Sequence, residues 1–304
     1  MIIRSGEFIN KKVASKDAVI FNKYRDGNVE INIYSVGPGA SYILIPPSDP
    51  KGIKIYYLVE GAIQHVTSGE ILQVNDTVIL KSSDDYFYYQ PLEESTLYLT
   101  AYGDPSFEIS KEKFATLNET MLKIQLKDHY TNLHCQRVLE LAKAMAIKMG
   151  LSGRDTYNFV TAARYHDLGK IIISDDILNK PSRLSDDEYK IMQDHVNQAL
   201  SLLPAQYDPV ILRIISEHHE RLDGSGYPQG LTGQAISEPG KALAVLDTFD
   251  AMTSNRIYKP GKTIEESFQE LYELADLKYS RKYIDLLHEI VHEQPDLIKK
   301  LRAL

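Results

Sequence analysis

Eight of the nine histidines in this 304-residue chain fall between His129 and His292, and five of them join two aspartates in one pattern. Along the sequence it reads His134, His166-Asp167, His195, His218-His219 and Asp247. Imidazole nitrogens and carboxylate oxygens are the donors that hold borderline and hard divalent cations. Six such donors could serve one metal. Seven, with one carboxylate able to bridge, suit two metals about 3.5–4 Å apart, the arrangement that supports in-line displacement at phosphorus. The set contains no cysteine, which disfavours a closed structural zinc site and favours a hydrolytic centre with open positions. Two adjacent buried histidines are costly unless something uses their ring nitrogens, and a metal does so most simply.

These residues need helices to carry them. From Ser110 onward the apolar residues recur at helical spacing. Val138, Leu141, Ala142, Met145 and Met149 predict a helix over 134–149, stopped by Gly150. Ser185-Asp186-Asp187-Glu188 is a capping box expected to open a helix running through His195, and Thr263-Ile264-Glu265-Glu266 repeats the signal. Residues 281–293 are expected to close the chain as another helix. After His218-His219-Glu220, two glycines and Pro228 break the helical pattern.

The first part of the chain alternates instead. Short runs rich in Ile, Val, Tyr and Thr at 31–36, 41–45, 54–59, 70–74, 77–80 and 96–102 are separated by Gly, Pro, Asn and Asp. That spacing predicts a sandwich or barrel. The expected architecture is an α+β two-domain chain. An all-β unit over 1–108 leads through a charged amphipathic helical linker, 109–127, to an all-α unit over 128–304.

Within the strand-rich part, Tyr57-Leu58-Val59-Glu60-Gly61, Gly69-Glu70 and Val74-Asn75-Asp76-Thr77-Val78 resemble the cupin family. Cupins that do chemistry carry clustered His and Glu ligands. Here His65 is the one histidine before His129, so the resemblance implies no metal site. A small-molecule sensor or a dimerisation module is expected, its ligand unspecified.

The helical part, from Asp128 to Lys259, resembles the HD-GYP family, the branch of the HD phosphohydrolases that hydrolyses cyclic di-GMP. The residues carrying the likeness are Asp128-His129-Tyr130-Thr131 with His134 and Arg137, and His166-Asp167-Leu168-Gly169-Lys170. They continue with Pro181, His195, His218-His219-Glu220, Gly226-Tyr227-Pro228 and the run from Asp247 to Ser254, followed by Arg256, Tyr258 and Lys259. The resemblance implies that His134, His166, Asp167 and Asp247 hold one metal. It implies that Asp167, His195, His218 and His219 hold the other, with Asp167 bridging. Iron and manganese both suit such donors. Some members place a glutamate for a third metal where this chain has Tyr130, so two metals are expected. Val196 and Ala199 stand where the family favours proline and glycine.

The implied reaction is hydrolysis of cyclic di-GMP to linear pGpG, GMP or both. Two metals would lower the pKa of a shared water, and the hydroxide would displace a ribose 3′-oxygen. Lys170, Arg256 and Lys259 match positions that meet substrate phosphate, which suits guanidinium and ammonium groups. Tyr227 would border the substrate. The residues leave two alternatives open: a hydrolase of another cyclic dinucleotide, and a receptor that binds cyclic di-GMP without cleaving it.

Composition fits a globular chain, with 43% hydrophobic and 25% charged residues. A net charge of −8 argues against duplex nucleic acid as a partner. Cys135 is the single cysteine, no secretory signal opens the chain, and no apolar run could span a bilayer, so a cytoplasmic, reducing setting is expected. The linker leaves homodimerisation open.

Overall fold

The structure is a computed structural model, and it describes residues 10–15, 18–38, 42–103, 127, 129–180, 182–203, 207–254 and 260–303. The chain divides into two compact units, residues 1–119 with 152–157 and residues 120–151 with 158–304. The linker expected over 109–127 lies outside the described residues except for Lys127, and so do Asp128, Pro181, Arg256, Tyr258 and Lys259.

Among the described residues the first unit contains ten strands in two antiparallel sheets. They are β1 (Asn10–Ser15), β2 (Ala18–Asp26), β3 (Val29–Val36), β4 (Tyr42–Leu44), β5 (Ile53–Glu60), β6 (Ile63–His65), β7 (Ile71–Leu72), β8 (Thr77–Lys81), β9 (Phe87–Pro91) and β10 (Ser95–Tyr102). One sheet runs β1-β2-β3-β10-β5-β8 and the other β4-β9-β6-β7. From β3 to β10 the chain passes back and forth between the sheets, so that neighbours in space are distant in sequence. This is the eight-strand jelly roll to which cupins belong. Its first sheet is extended by β1 and β2.

Alternation explains the core. Tyr56 and Leu58 of β5 and Leu97, Leu99 and Ala101 of β10 point inward and are buried, while their neighbours face out. Burying a side chain of this size contributes roughly 1.5–3 kcal/mol, so a one-residue slip of either strand would be heavily penalised. Four strands escape the sequence pattern: β1, β2, β6 and β9.

The second unit is helical. Its helices are α1 (His129–Lys148), α2 (Gly153–Tyr165), α3 (Asp175–Leu178), α4 (Asp186–Gln193), α5 (His195–Leu202), α6 (Pro209–Glu217), α7 (Glu238–Thr253), α8 (Ile264–Glu273), α9 (Arg281–Glu293) and α10 (Pro295–Ala303). The unit takes α2 from residue 158 onward, residues 153–157 of that helix being counted with the first unit. Both expected capping boxes form, at Ser185 and Thr263, each with the hydroxyl and the third-residue glutamate bonded reciprocally. Two expectations are corrected. The helix opened at Ser185 does not run through His195. It stops at Gln193, where the Asp194 N–H is shared between the carbonyls of Lys190 and Ile191, and α5 starts afresh. Nor does 281–293 close the chain, because α10 follows.

α7 is the central strut, with Ala242 to Asp247 buried along its length. Its first residue, Glu238, accepts from Lys241 (2.7 Å), the Tyr283 hydroxyl (2.7 Å) and Lys282 (3.2 Å). The hydrogen bond from Lys241, followed by that from Tyr283, pulls its carboxyl from 4.5 to about 2. A carboxyl depressed on folding adds stability above pH 4.5 and loses it as the pH falls toward 2. Glu238→Gln should therefore lower the unfolding free energy at pH 7 by about 0.5–1 kcal/mol, the scale of an exposed charge network. Urea denaturation should show the gap narrowing steadily below pH 4.5, and a constant gap down to pH 3 would refute the assignment.

Among the described residues, no helix is long and apolar enough to cross a membrane.

Candidate metal centre

Five elements bring the seven expected residues together, and the helix ends do most of the positioning. His134 lies on α1, Asp247 in the middle of α7, and His195 at the start of α5. His166-Asp167 follows the last residue of α2, and His218-His219 follows the last residue of α6.

The terminal carbonyls of a helix lack partners within it. Here His166 Nδ1–H donates to the Ala163 carbonyl (2.8 Å), His195 Nδ1–H to that of Met192 (2.7 Å) and His218 Nδ1–H to that of Ile215 (2.6 Å). A carbonyl can only accept, so Nδ1 carries a proton in each of the three rings, and Nε2 is left to face the interior. Three helix C-termini thus converge, and their dipoles favour a cation between them. His134 is fixed differently. Its Nδ1–H donates to Asp250 Oδ2 (2.7 Å), and Arg137 grips the same carboxylate at both oxygens, at 2.7 and 3.0 Å.

The Nε2 atoms meet the two carboxylates. Asp167 is 1% exposed, and its two oxygens look in different directions. Oδ2 lies 3.5 Å from His166 Nε2 and 3.7 Å from His134 Nε2, while Oδ1 lies 3.3 Å from His195 Nε2. Two sets of donors close enough for one ion share this carboxylate: His134, His166 and Asp167, and Asp167, His195, His218 and His219. Asp247 reaches toward both, with Oδ1 at 3.1 Å from His134 Nε2 and 3.8 Å from His166 Nε2, and Oδ2 at 3.7 Å from His219 Nδ1.

Three buried atoms here, Asp167 Oδ1, His195 Nε2 and His218 Nε2, lack a directed hydrogen bond. Leaving such atoms unsatisfied typically costs 1–3 kcal/mol each. All three belong to one donor set, so a divalent ion fits the residues that are present. Among the described residues both candidate sets lie in the helical unit.

Charge in the site is finely divided. Burial lowers the pKa of His218 to about 3, helped by the neighbouring imidazoles, and lowers those of His219 and His166. At His134 burial is overcome by hydrogen bonds to Asp247 and Asp250, which push the ring up to about 9. Burial opposes ionisation of Asp167 and Asp247, yet the cations and imidazoles around them hold both carboxyls well below the usual range. Lys170 Nζ sits 2.6 Å from Asp167 Oδ2. Burial raises the Cys135 thiol well above its ordinary value.

Spacing inside the site is set by Gly169. A Cβ there would lie 1.8 Å from the His195 carbonyl oxygen and 2.6 Å from the Ala199 amide nitrogen. Gly169→Ala must separate the turn at Leu168–Ile171 from α5, and with it Asp167 from His195. A loss of about 1–3 kcal/mol in unfolding free energy is expected, together with weakened metal binding. Denaturant curves and metal titration of one preparation check both effects.

The loop after His219 folds back over the centre. Gly226 allows this, since a Cβ there would lie 2.5 Å from the Arg221 amide nitrogen and the His219 carbonyl. Glu220, 2% exposed, clamps the loop by accepting from the backbone N–H groups of Gln229 (2.7 Å) and Leu231 (2.9 Å). Tyr227 lies with its ring 4.7 Å from that of His219 and 6.5 Å from that of His195. Beneath, buried Glu217 accepts from Arg213 (2.7 Å) and from the Ser237 amide (2.9 Å) and hydroxyl, tying the end of α6 to the start of α7.

Sequence reasoning gave no role to Asp250, Arg137, Glu217 or Glu220. Asp250 carried a usable signal, since it follows Asp247 by one helical step and shares its face. Nothing local marks the two glutamates, whose partners lie elsewhere in the chain. Arg256 and Lys259 lie outside the described residues.

A family model described as HD domain matches residues 117–282, more than half of the chain. A cyclic di-GMP phosphodiesterase of Thermotoga maritima is 30% identical over 97% of this chain and 77% of its own length. A cyclic di-GMP phosphodiesterase response regulator of Xanthomonas campestris pv. campestris is 34% identical over 59% of this chain and 48% of its own. A 3′3′-cGAMP-specific phosphodiesterase of Vibrio cholerae is 34% identical over 60% and 35%. This chain therefore spans less than half the length of the latter two. Among solved structures, KdgF from Halomonas sp. matches 32% of this chain and 90% of its own, with a TM-score of 0.28 at 14% identity. A cyclic GMP-AMP specific phosphodiesterase of V. cholerae matches 60% of this chain and 50% of its own, with a TM-score of 0.45 at 17% identity.

Proposed function

The chain belongs to the HD domain family, and from that premise we propose that it is a metal-dependent phosphodiesterase hydrolysing cyclic di-GMP to linear pGpG, GMP or both. The observation that carries this reading is the divided carboxylate of Asp167, one oxygen toward His134 and His166 and the other toward His195. That is the disposition a bridging ligand requires. His134, His166, Asp167 and Asp247 would hold one ion, and Asp167, His195, His218 and His219 a second, with iron or manganese matching the donors. Two such ions, when bound, lower the pKa of a water and draw charge from a phosphoryl oxygen.

The protein's own groups supply the rest. Asp250, itself held by Arg137, fixes the His134 ring, and three helix-end carbonyls fix the other imidazoles. Lys170 would bring a cation to a phosphate oxygen beside Asp167. Tyr227 would flank the nucleotide and exclude water from the His195–His219 side. Arg256 and Lys259, by their place in the motif, would grip the second phosphate. The jelly roll would regulate this centre by binding a small molecule, and the single, buried cysteine suits a cytoplasmic enzyme.

A second substrate, 3′3′-cGAMP, is favoured by the names of V. cholerae relatives, and the same centre would serve it. The test is to load the full chain anaerobically with Fe(II) or Mn(II) and give it each cyclic dinucleotide separately. Mass spectrometry should find pGpG or GMP forming faster than any cGAMP product. Cyclic di-GMP bound but left intact by metal-loaded protein would mean a receptor, and faster cGAMP turnover would reassign the substrate.

A further inference from the structure

Beside the centre, α4 holds an aromatic side chain that the reading so far gives no task. Tyr189 is 49% exposed. A single exposed tyrosine is ordinary on a protein surface, but the position of this one is specific. Its ring stands 6.5 Å from that of Tyr227 and at 80° to it. Tyr227 already packs against the His219 ring, 4.7 Å away, and lies 6.5 Å from the His195 ring. The two tyrosines therefore make two walls of a corner, close to a right angle, next to one of the two donor sets. The backbone under Tyr189 is held at both ends. The capping box at Ser185 fixes the start of α4, and Lys180 neutralises Glu188 through both carboxylate oxygens, at 2.5 and 2.6 Å. Three residues on, the Met192 carbonyl accepts from His195 Nδ1 at 2.7 Å. Less than one turn of helix, about 4.5 Å along its axis, thus separates Tyr189 from the anchor of a candidate metal ligand.

We propose that Tyr189 is a specificity-determining residue, its ring stacking on a guanine base of the cyclic dinucleotide whose phosphate meets the donors. The proposal rests on the phosphodiesterase reading and adds to it the means by which a nucleotide is told from a simple diester. A phosphate drawn toward Asp167 and Lys170 leaves its ribose and base to project past the histidines, and the base needs a flat apolar partner there. Tyr227 has much of its ring engaged with His219, whereas half of Tyr189 is open. Every base has a π-face, so such a stack grips purine cyclic dinucleotides as a class. Tyrosine is also uncharged, so it adds no repulsion toward an anionic ligand in a protein that carries a net −8.

Steady-state kinetics and equilibrium dialysis on the metal-loaded full chain test this. Tyr189→Ala should raise both KM and the dissociation constant for cyclic di-GMP about 10–100-fold, the loss of one base stack. Bound metal should stay the same, and kcat should fall by a smaller factor than KM rises. Tyr189→Phe and Tyr189→Trp keep a π-face and should bind nearly as the wild type does. Methyl p-nitrophenyl phosphate carries its one ring on the leaving oxygen and has no base to stack. Its kcat/KM in Tyr189→Ala should fall at least about tenfold less than that of cyclic di-GMP. Ile191→Ala, at a 47% exposed position on the opposite side of the same helix, should match the wild type on both substrates. An equal loss on both diesters, or lost metal, would show that Tyr189 merely props the loop of Tyr227. An unchanged affinity for cyclic di-GMP would likewise overturn the proposal. Wild-type protein that bound cyclic di-GMP without cleaving it, and lost that affinity in Tyr189→Ala, would sustain the stack and refute the hydrolase reading alone.

Discussion

Asp167→Asn is expected to strip the centre of metal and abolish turnover while leaving the fold intact. The two side chains have the same shape, so packing at this 1% exposed position should hold. Chemistry separates them. The carboxylate offers an anionic oxygen to each histidine set, whereas the amide offers one neutral oxygen and a pair of N–H donors. Whichever way it turns, it aims a donor at His195 or at Lys170, which now pairs with Oδ2 at 2.6 Å. Losing even an outer partner of a ligand costs about 10–100-fold in affinity or activity. Loss of the shared carboxylate should cost more than that, and bound metal should fall below two per chain. Elemental analysis and product formation decide the matter, with circular dichroism confirming the fold. Normal metal content with normal turnover would remove Asp167 from the centre.

Lys170→Ala should separate binding of metal from chemistry. An ammonium has no lone pair to donate, so its removal takes nothing from a metal's coordination. It also removes a cation that competes for Asp167 Oδ2, so metal should bind as well as before or more tightly. Turnover should nonetheless fall by about 10²–10³, the effect of deleting one preorganised donor to developing charge. Substrate affinity should fall less than the rate if the contact strengthens toward the transition state. Metal content, substrate affinity and single-turnover rate on one preparation provide the check. Lost metal would show that Lys170 serves only to position Asp167. An unchanged rate would show that it serves nothing in the reaction.

The centre was legible because its chemistry is written in short local runs. His166-Asp167 and His218-His219 announce themselves by type, and both prove to follow helix ends, where the chain can turn two side chains inward. What supports them was not legible. The His134–Asp250 bond joins residues far apart in sequence, and the clamp by Glu220 appears only when the loop has folded back. The strands show the same division. β5 and β10 alternate cleanly, while β9 buries both Tyr88 and Tyr89 and ends on Pro91, which hides its period. The break at Asp194 was invisible because α4 and α5 share one helical pattern, and it is marked by the shared N–H of Asp194 and the bond from His195 to Met192.

His166, His195 and His218 each close a helix with one nitrogen and turn the other toward the candidate centre. Selection for a stable bundle alone could therefore preserve all three in a descendant that had given up catalysis. Their presence in a related sequence is weak testimony to turnover. The Asp167 side chain caps no helix, and it and His219 face the other donors of the candidate centre. A relative that kept the three helix-ending histidines but lost Asp167 or His219 should fold, resist denaturant normally and hydrolyse nothing.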